Sequence, residues 1–172
     1  KKKKKKDREA EIREWVNLLI DGNCNEEETR FGSAKLLEAF ESDQNRNDEK
    51  NVMEIVLTAF AKDRPHSSHS LFVDQLLSII SSDFYDVFCV RNIVKLIHQM
   101  ILCDIAIRSS SWRSTYLFQD LNQVQEVITQ IKLKWSNPLL VPMSTHCRLE
   151  LPPSKQIVKC CNACLQTIAT MP

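Results

Sequence analysis

Apolar side chains recur every three or four positions along most of the chain, the period of helices that bury one face. Over residues 8–21 this places Ile12, Trp15, Val16 and Leu19 on one side, and Asp21-Gly22-Asn23 ends the helix. Asn25 can cap a second helix, with Glu28 at the reciprocal capping-box position and Glu26 and Glu27 at the positive end. That helix is predicted to reach about Ser42 and to bury Phe31, Ala34, Leu37 and Phe40. A third starts near Asp48, with Val52, Ile55, Val56, Ala59 and Phe60 as its stripe, and stops at Asp63-Arg64-Pro65 because the residue before proline is pushed out of helical angles.

Residues 70–82 carry Leu71, Phe72, Leu76, Leu77, Ile79 and Ile80. A long helix over about 84–108 follows. Its middle, from Phe88 to Ile107, is apolar on most sides, the mark of a helix packed at the centre of a fold. After Ser109-Ser110-Ser111 a helix resumes with Trp112 and Tyr116, and Leu121, Val124, Val127, Ile128, Ile131 and Trp135 form a clean amphipathic stripe. Residues 136–153 hold four prolines and read as an extended connector. Ser154 can cap a last helix burying Ile157, Cys161, Cys164, Leu165 and Ile168.

The prediction is an all-α domain of about seven helices. Short loops make sequential neighbours antiparallel, giving either stacked helical hairpins or a compact irregular bundle. The stacked form resembles HEAT and armadillo repeats in general layout, although no fixed-period self-similarity runs through the sequence.

Composition narrows the function. The 172 residues include 2 glycines, Gly22 and Gly32, and neither sits in a phosphate-binding loop. Nucleophile elbows and HExxH are absent as well. The chain therefore reads as non-enzymatic, without a cofactor. No apolar run is long enough to span a membrane. The 7 cysteines are odd in number and irregularly spaced, unlike a disulfide framework, and read as reduced thiols.

The net charge of +1 hides a segregation: without Lys1–Lys6, residues 7–172 stand at −5. Lys1, Lys2, Lys3, Lys4, Lys5 and Lys6 read as part of a disordered basic tail over 1–7, preceding a single helical domain over 8–172. Such a run serves nuclear import or contact with an acidic partner, which points to a nuclear or nucleocytoplasmic location. A second reading makes the chain a nucleic-acid-associated accessory domain, with the Lys run supplying weak, non-specific phosphate contact. The lack of a leading Met and the ending at Met171-Pro172 read as an excised piece of a larger protein.

Few residues offer site chemistry. Cys161-x-x-Cys164, with Cys160, His146 and Cys147 upstream, has the ligand types and spacing of a zinc site, the basis of a third reading as a zinc-stabilised helical domain. Cys161, Cys164, Leu165 and Ile168 also follow core spacing, and core thiols are the favoured reading. His66 and His69 suit a loop before a helix, His98 sits on the apolar helix, and Arg108–Ser114 reads as a loop anchored by Trp112 whose serines suit phosphorylation. The leading expectation is a scaffold module that binds a partner protein through a helix face or groove, with Trp15, Phe84, Tyr85, Trp112 and Trp135 as anchors.

Overall fold

The computed structural model describes residues 2–20, 25–42, 55–56, 68–82, 85–109, 121–136 and 153–170. Among them lie six helices and no strand: α1 (Lys2–Ile20), α2 (Glu26–Ser42), α3 (Ser68–Ser81), α4 (Val87–Ser109), α5 (Leu121–Ser136) and α6 (Pro153–Ala169). Ile55 and Val56 of the third expected helix are helical and buried. The rest of that helix, the segment around Trp112 and Tyr116, and most of the Pro-containing connector lie outside the described residues.

The helices form two layers. α2, α4 and α6 pack side by side in one, while α1 packs on α3 and α3 on α5 in the other. Three cross-packings join the layers, α1 with α2, α3 with α4, and α5 with α6. Direction within the first layer follows from named bonds. Arg30 near the start of α2 bonds Asp86 just before α4, and Cys89 reaches the Glu26 carbonyl. Further along α4, Arg91 meets Gln156 and His98 meets Thr167, in the same order on both helices. The starts of α2 and α4 therefore adjoin, and α4 and α6 run the same way.

α4 is the shared element. Val90, Ile93, Val94, Leu96, Ile97, Met100 and Ile101 are all fully or almost fully buried. Each such side chain contributes about 1.5–3 kcal/mol of hydrophobic stabilisation. One helix can bury this much only when neighbours cover it on several sides, and α2, α3 and α6 do so.

Three local expectations need correction. α2 is rotated from the predicted face: Phe31 is 52% exposed, Ala34 is exposed and Leu37 only half-buried, while Thr29, Gly32, Ser33, Leu36 and Phe40 point inward. Small residues won the inner face because α1 comes close. A Cβ built on Gly32 would lie 3.2 Å from the Trp15 carbonyl oxygen and 3.4 Å from Leu18 Cβ. The buried Ser33 hydroxyl is satisfied locally, donating to the Arg30 carbonyl at 3.0 Å.

Second, the backbone is helical from Lys2, where a disordered tail was expected up to residue 7. Lysine loses little rotamer freedom in a helix, and a helix already nucleated by Ile12, Val16 and Leu19 propagates at low cost. Third, α6 begins at Pro153, so Ser154 is its second residue rather than its cap. Proline suits the first turn because its missing N–H would be unpaired there anyway. Ser154 is buried, and its hydroxyl has no partner among the described residues. Leu165 and Ile168 pack on the core while remaining partly exposed.

Candidate functional site

The cap predicted at Asn25 is present, its Oδ1 accepting the Glu28 amide at 2.8 Å. α4 is capped likewise by Asp86, whose Oδ1 accepts the Cys89 amide at 2.8 Å while its backbone carbonyl accepts the Val90 amide. The two helix starts therefore adjoin, and Arg30 Nη1 donates to Asp86 Oδ2 at 3.3 Å. Partial burial works against the Asp86 charge. The Cys89 amide, the Glu26 side chain, the Cys89 thiol and the Arg30 guanidinium together outweigh it and hold the carboxyl below its ordinary value. Burial, reinforced by Asp86 and Glu26, pushes the Cys89 thiol up to about 12, and its Sγ–H points at the Glu26 carbonyl. This cluster fastens α2 to α4 and leaves no thiolate to act as a nucleophile.

Asp86→Ala is expected to cost about 1 kcal/mol through the lost cap, and Asp86→Asn to retain most of it, as read by urea unfolding at neutral pH. The acid limb distinguishes charge from capping. Because the folded value lies below the ordinary 3.8, the charge-dependent stabilisation is complete above 3.8 and fades as pH falls through the folded value. Asp86→Asn should lack that part of the pH profile. An unchanged acid limb in the variant would remove Asp86 from the account of it.

The residues expected to anchor a partner fall in different surroundings. Trp15 is partly buried and lines a groove of about 570 Å³ between α1 and α2. Phe31, Ala39 and Ile12 supply further apolar lining, and Arg8, Glu11, Glu14, Lys35 and Glu38 supply charge. The outward turn of Phe31, which follows from the small residues on the opposite face of α2, puts its ring on this groove. Lys35 Nζ sits 5.9 Å from the ring centroid and also pairs with Glu38 at 3.7 Å.

Tyr85 is partly buried against the core beside Asp86. Trp135 is likewise half-buried, with its indole N–H enclosed and lacking an acceptor among the described residues, and Lys134 lies 5.8 Å over its ring. Trp15 and Trp135 thus sit on the two outer helices of the second layer. Phe84 and Trp112 lie outside the described residues.

Comparison with known protein families, curated proteins and solved structures gives no match.

Cys161 and Cys164 are fully buried in the core, and burial pushes both thiols up to about 12, so they are held as packed thiols. Cys160, their neighbour, is half-buried at the α4–α6 seam; burial raises its thiol despite nearby Lys95, Arg91 and Lys159. Five cysteines form no disulfide among the described residues, while His146, Cys147, His66 and His69 lie outside the described side chains. No three His, Cys, Asp or Glu side chains converge among the described residues.

His98 has a structural bond. Thr167 Oγ1 donates its proton to the Ala163 carbonyl at 2.9 Å, so its contact with His98 Nε2 at 3.1 Å requires the imidazole N–H to donate. Burial lowers the His98 pKa, favouring that neutral ring. No described helix is long and apolar enough to cross a membrane.

Proposed function

We propose that the chain is a non-enzymatic helical scaffold that binds an amphipathic helix of a partner protein in the groove between α1 and α2. The observation that carries this is Phe31, a large apolar ring 52% exposed on a helix that turns the small Thr29, Gly32 and Ser33 inward instead. With Trp15 it gives the groove two aromatic surfaces and a charged rim of both signs. Exposed rings in a concave, charge-rimmed site are what helix-in-groove recognition uses as anchors. The two-layer order of helices supports the stacked, HEAT-like or armadillo-like layout, in which such grooves recur between neighbouring elements. The Lys1–Lys6 run is the basis for placing the protein in the nucleus or in traffic with it.

The test is selection of displayed helical peptides on the intact protein, followed by affinities for Phe31→Ala and Trp15→Ala variants that retain wild-type circular dichroism. Selected peptides should carry apolar residues at i, i+3 or i+4, and i+7, and should lose about tenfold or more in affinity on Phe31→Ala, the scale of an interface hot spot. Selected peptides that bind both variants as tightly as the parent would overturn the assignment.

A further inference from the structure

The −5 charge of residues 7–172 conceals a basic face. Segments 87–103 and 153–169 contain no Asp or Glu, and these stretches of α4 and α6 pack together. Along α4, Phe88, Arg91, Lys95, Gln99 and Leu102 follow helical spacing on one stripe, none of them fully buried. Across the seam, Gln156 accepts from Arg91 Nη1 at 3.2 Å, and Cys160 lies within electrostatic reach of Arg91, Lys95 and Lys159. Lys155 is exposed one turn before Lys159. Among the described residues no carboxylate pairs with Lys95, Lys155 or Lys159.

Arg91 is also held in place. Its guanidinium lies 5.3 Å over the Phe88 ring, and its buried Nε has no hydrogen-bond partner among the described residues. Cations that face one seam from two helices are complementary to an anionic occupant.

The ends of the stripe indicate what kind of anion fits. Phe88 and Leu102 are each 40% exposed. Fourteen residues of helix separate them by about 21 Å. Apolar contacts at both ends with cations between them match a helix carrying acidic residues in its middle and apolar residues at its ends. A nucleic acid would engage four cations and leave both apolar ends unused, whereas its affinity grows with the number of phosphates neutralised.

We propose that the α4–α6 seam binds an acidic amphipathic helix of about four turns from a partner protein. This face is separate from the α1–α2 groove, and the two readings stand or fall independently.

The test uses a fluorescein-labelled helical peptide of about 16 residues, with leucines at both ends and glutamates between them on one face. Anisotropy is measured on the full chain, on Lys95→Gln/Lys159→Gln, and on Gln123→Glu/Gln130→Glu, two exposed positions of α5 where the same change in net charge is made elsewhere. The expected result is a loss of about tenfold or more for the seam variant and much less for the control, with a glutamine version of the peptide binding weakly. Circular dichroism of both variants checks that these surface changes leave the fold intact. Three outcomes would overturn the proposal. One is equal loss in both variants, which makes the effect one of net charge alone. Another is no binding up to about 1 mM. The third is tighter, seam-dependent binding of an oligothymidylate than of the peptide, which would reassign the face to nucleic acid.

Discussion

Replacing Ile97 with alanine is expected to remove about 2–5 kcal/mol from the free energy of unfolding. Ile97 is fully buried on α4, the helix that α2, α3 and α6 all cover. That helix is shared by three neighbours in one layered core, so local collapse around a cavity recovers little of the lost packing. Domains of this kind have about 5–15 kcal/mol in total, so one substitution takes a large share. At about 2–4 °C per kcal/mol for a chain of this length, thermal melting should fall by roughly 4–20 °C. Leu133→Ala is the contrast: that side chain is 67% exposed on α5, and its loss should lie within about 0.5 kcal/mol. Similar losses for the two variants in urea unfolding would mean that α4 is not the centre of the fold.

Gly32→Leu is expected to be the second most damaging change, at about 1–3 kcal/mol. At 3.2 Å the nearest obstacle to a new Cβ is the Trp15 carbonyl, a backbone atom that cannot swing aside, with Leu18 Cβ at 3.4 Å behind it. A leucine must therefore force α1 away from α2, and the separation should also spoil the groove that Trp15 and Phe31 share. Gly32→Ala is closer to balance, because relief of the glycine penalty in a helix, about 1 kcal/mol, opposes a clash of a few tenths of an ångström. Ala34→Leu, on the exposed face of the same helix, should leave stability and groove binding nearly unchanged. Equal tolerance of leucine at 32 and 34 in thermal melts and peptide affinity would rule out the close α1–α2 approach.

The all-helical fold was legible because most helices obey the simple rule that large apolar residues face inward. Ile12, Val16 and Leu19 of α1 do so, as do Val124, Ile128 and Ile131 of α5 and the nearly all-round apolar α4. The rule failed on α2, where Thr29, Gly32 and Ser33 are inside and Phe31 is outside. Close helix approach rewards small size over hydrophobicity, and a single sequence does not announce which neighbour will come close. A signal was there to use: one of the two glycines in the chain sits in the middle of an otherwise good helix, a placement that usually has a packing reason.

Asn25 was readable as a cap because glutamates follow it. Asp86 was missed because the apolar run begins earlier, at Phe84, although an acidic residue just ahead of Val87 is an ordinary start signal. The basic seam was hidden by averaging. Lys95 and Lys159 lie far apart in sequence, and the glutamates of α2 cancel them in any total. The absence of Asp and Glu from both segments was visible, but only their packing makes that absence a surface.

Native-state hydrogen exchange, followed residue by residue, tests the two-layer arrangement around α4 most directly. Amides of residues 93–101 should exchange slowest, only through global unfolding, with the inner part of α6 around Cys161 close behind and the first turns of α1 fastest. Rapid exchange across α4, or a slowest set lying in α1 or α5, would contradict that arrangement.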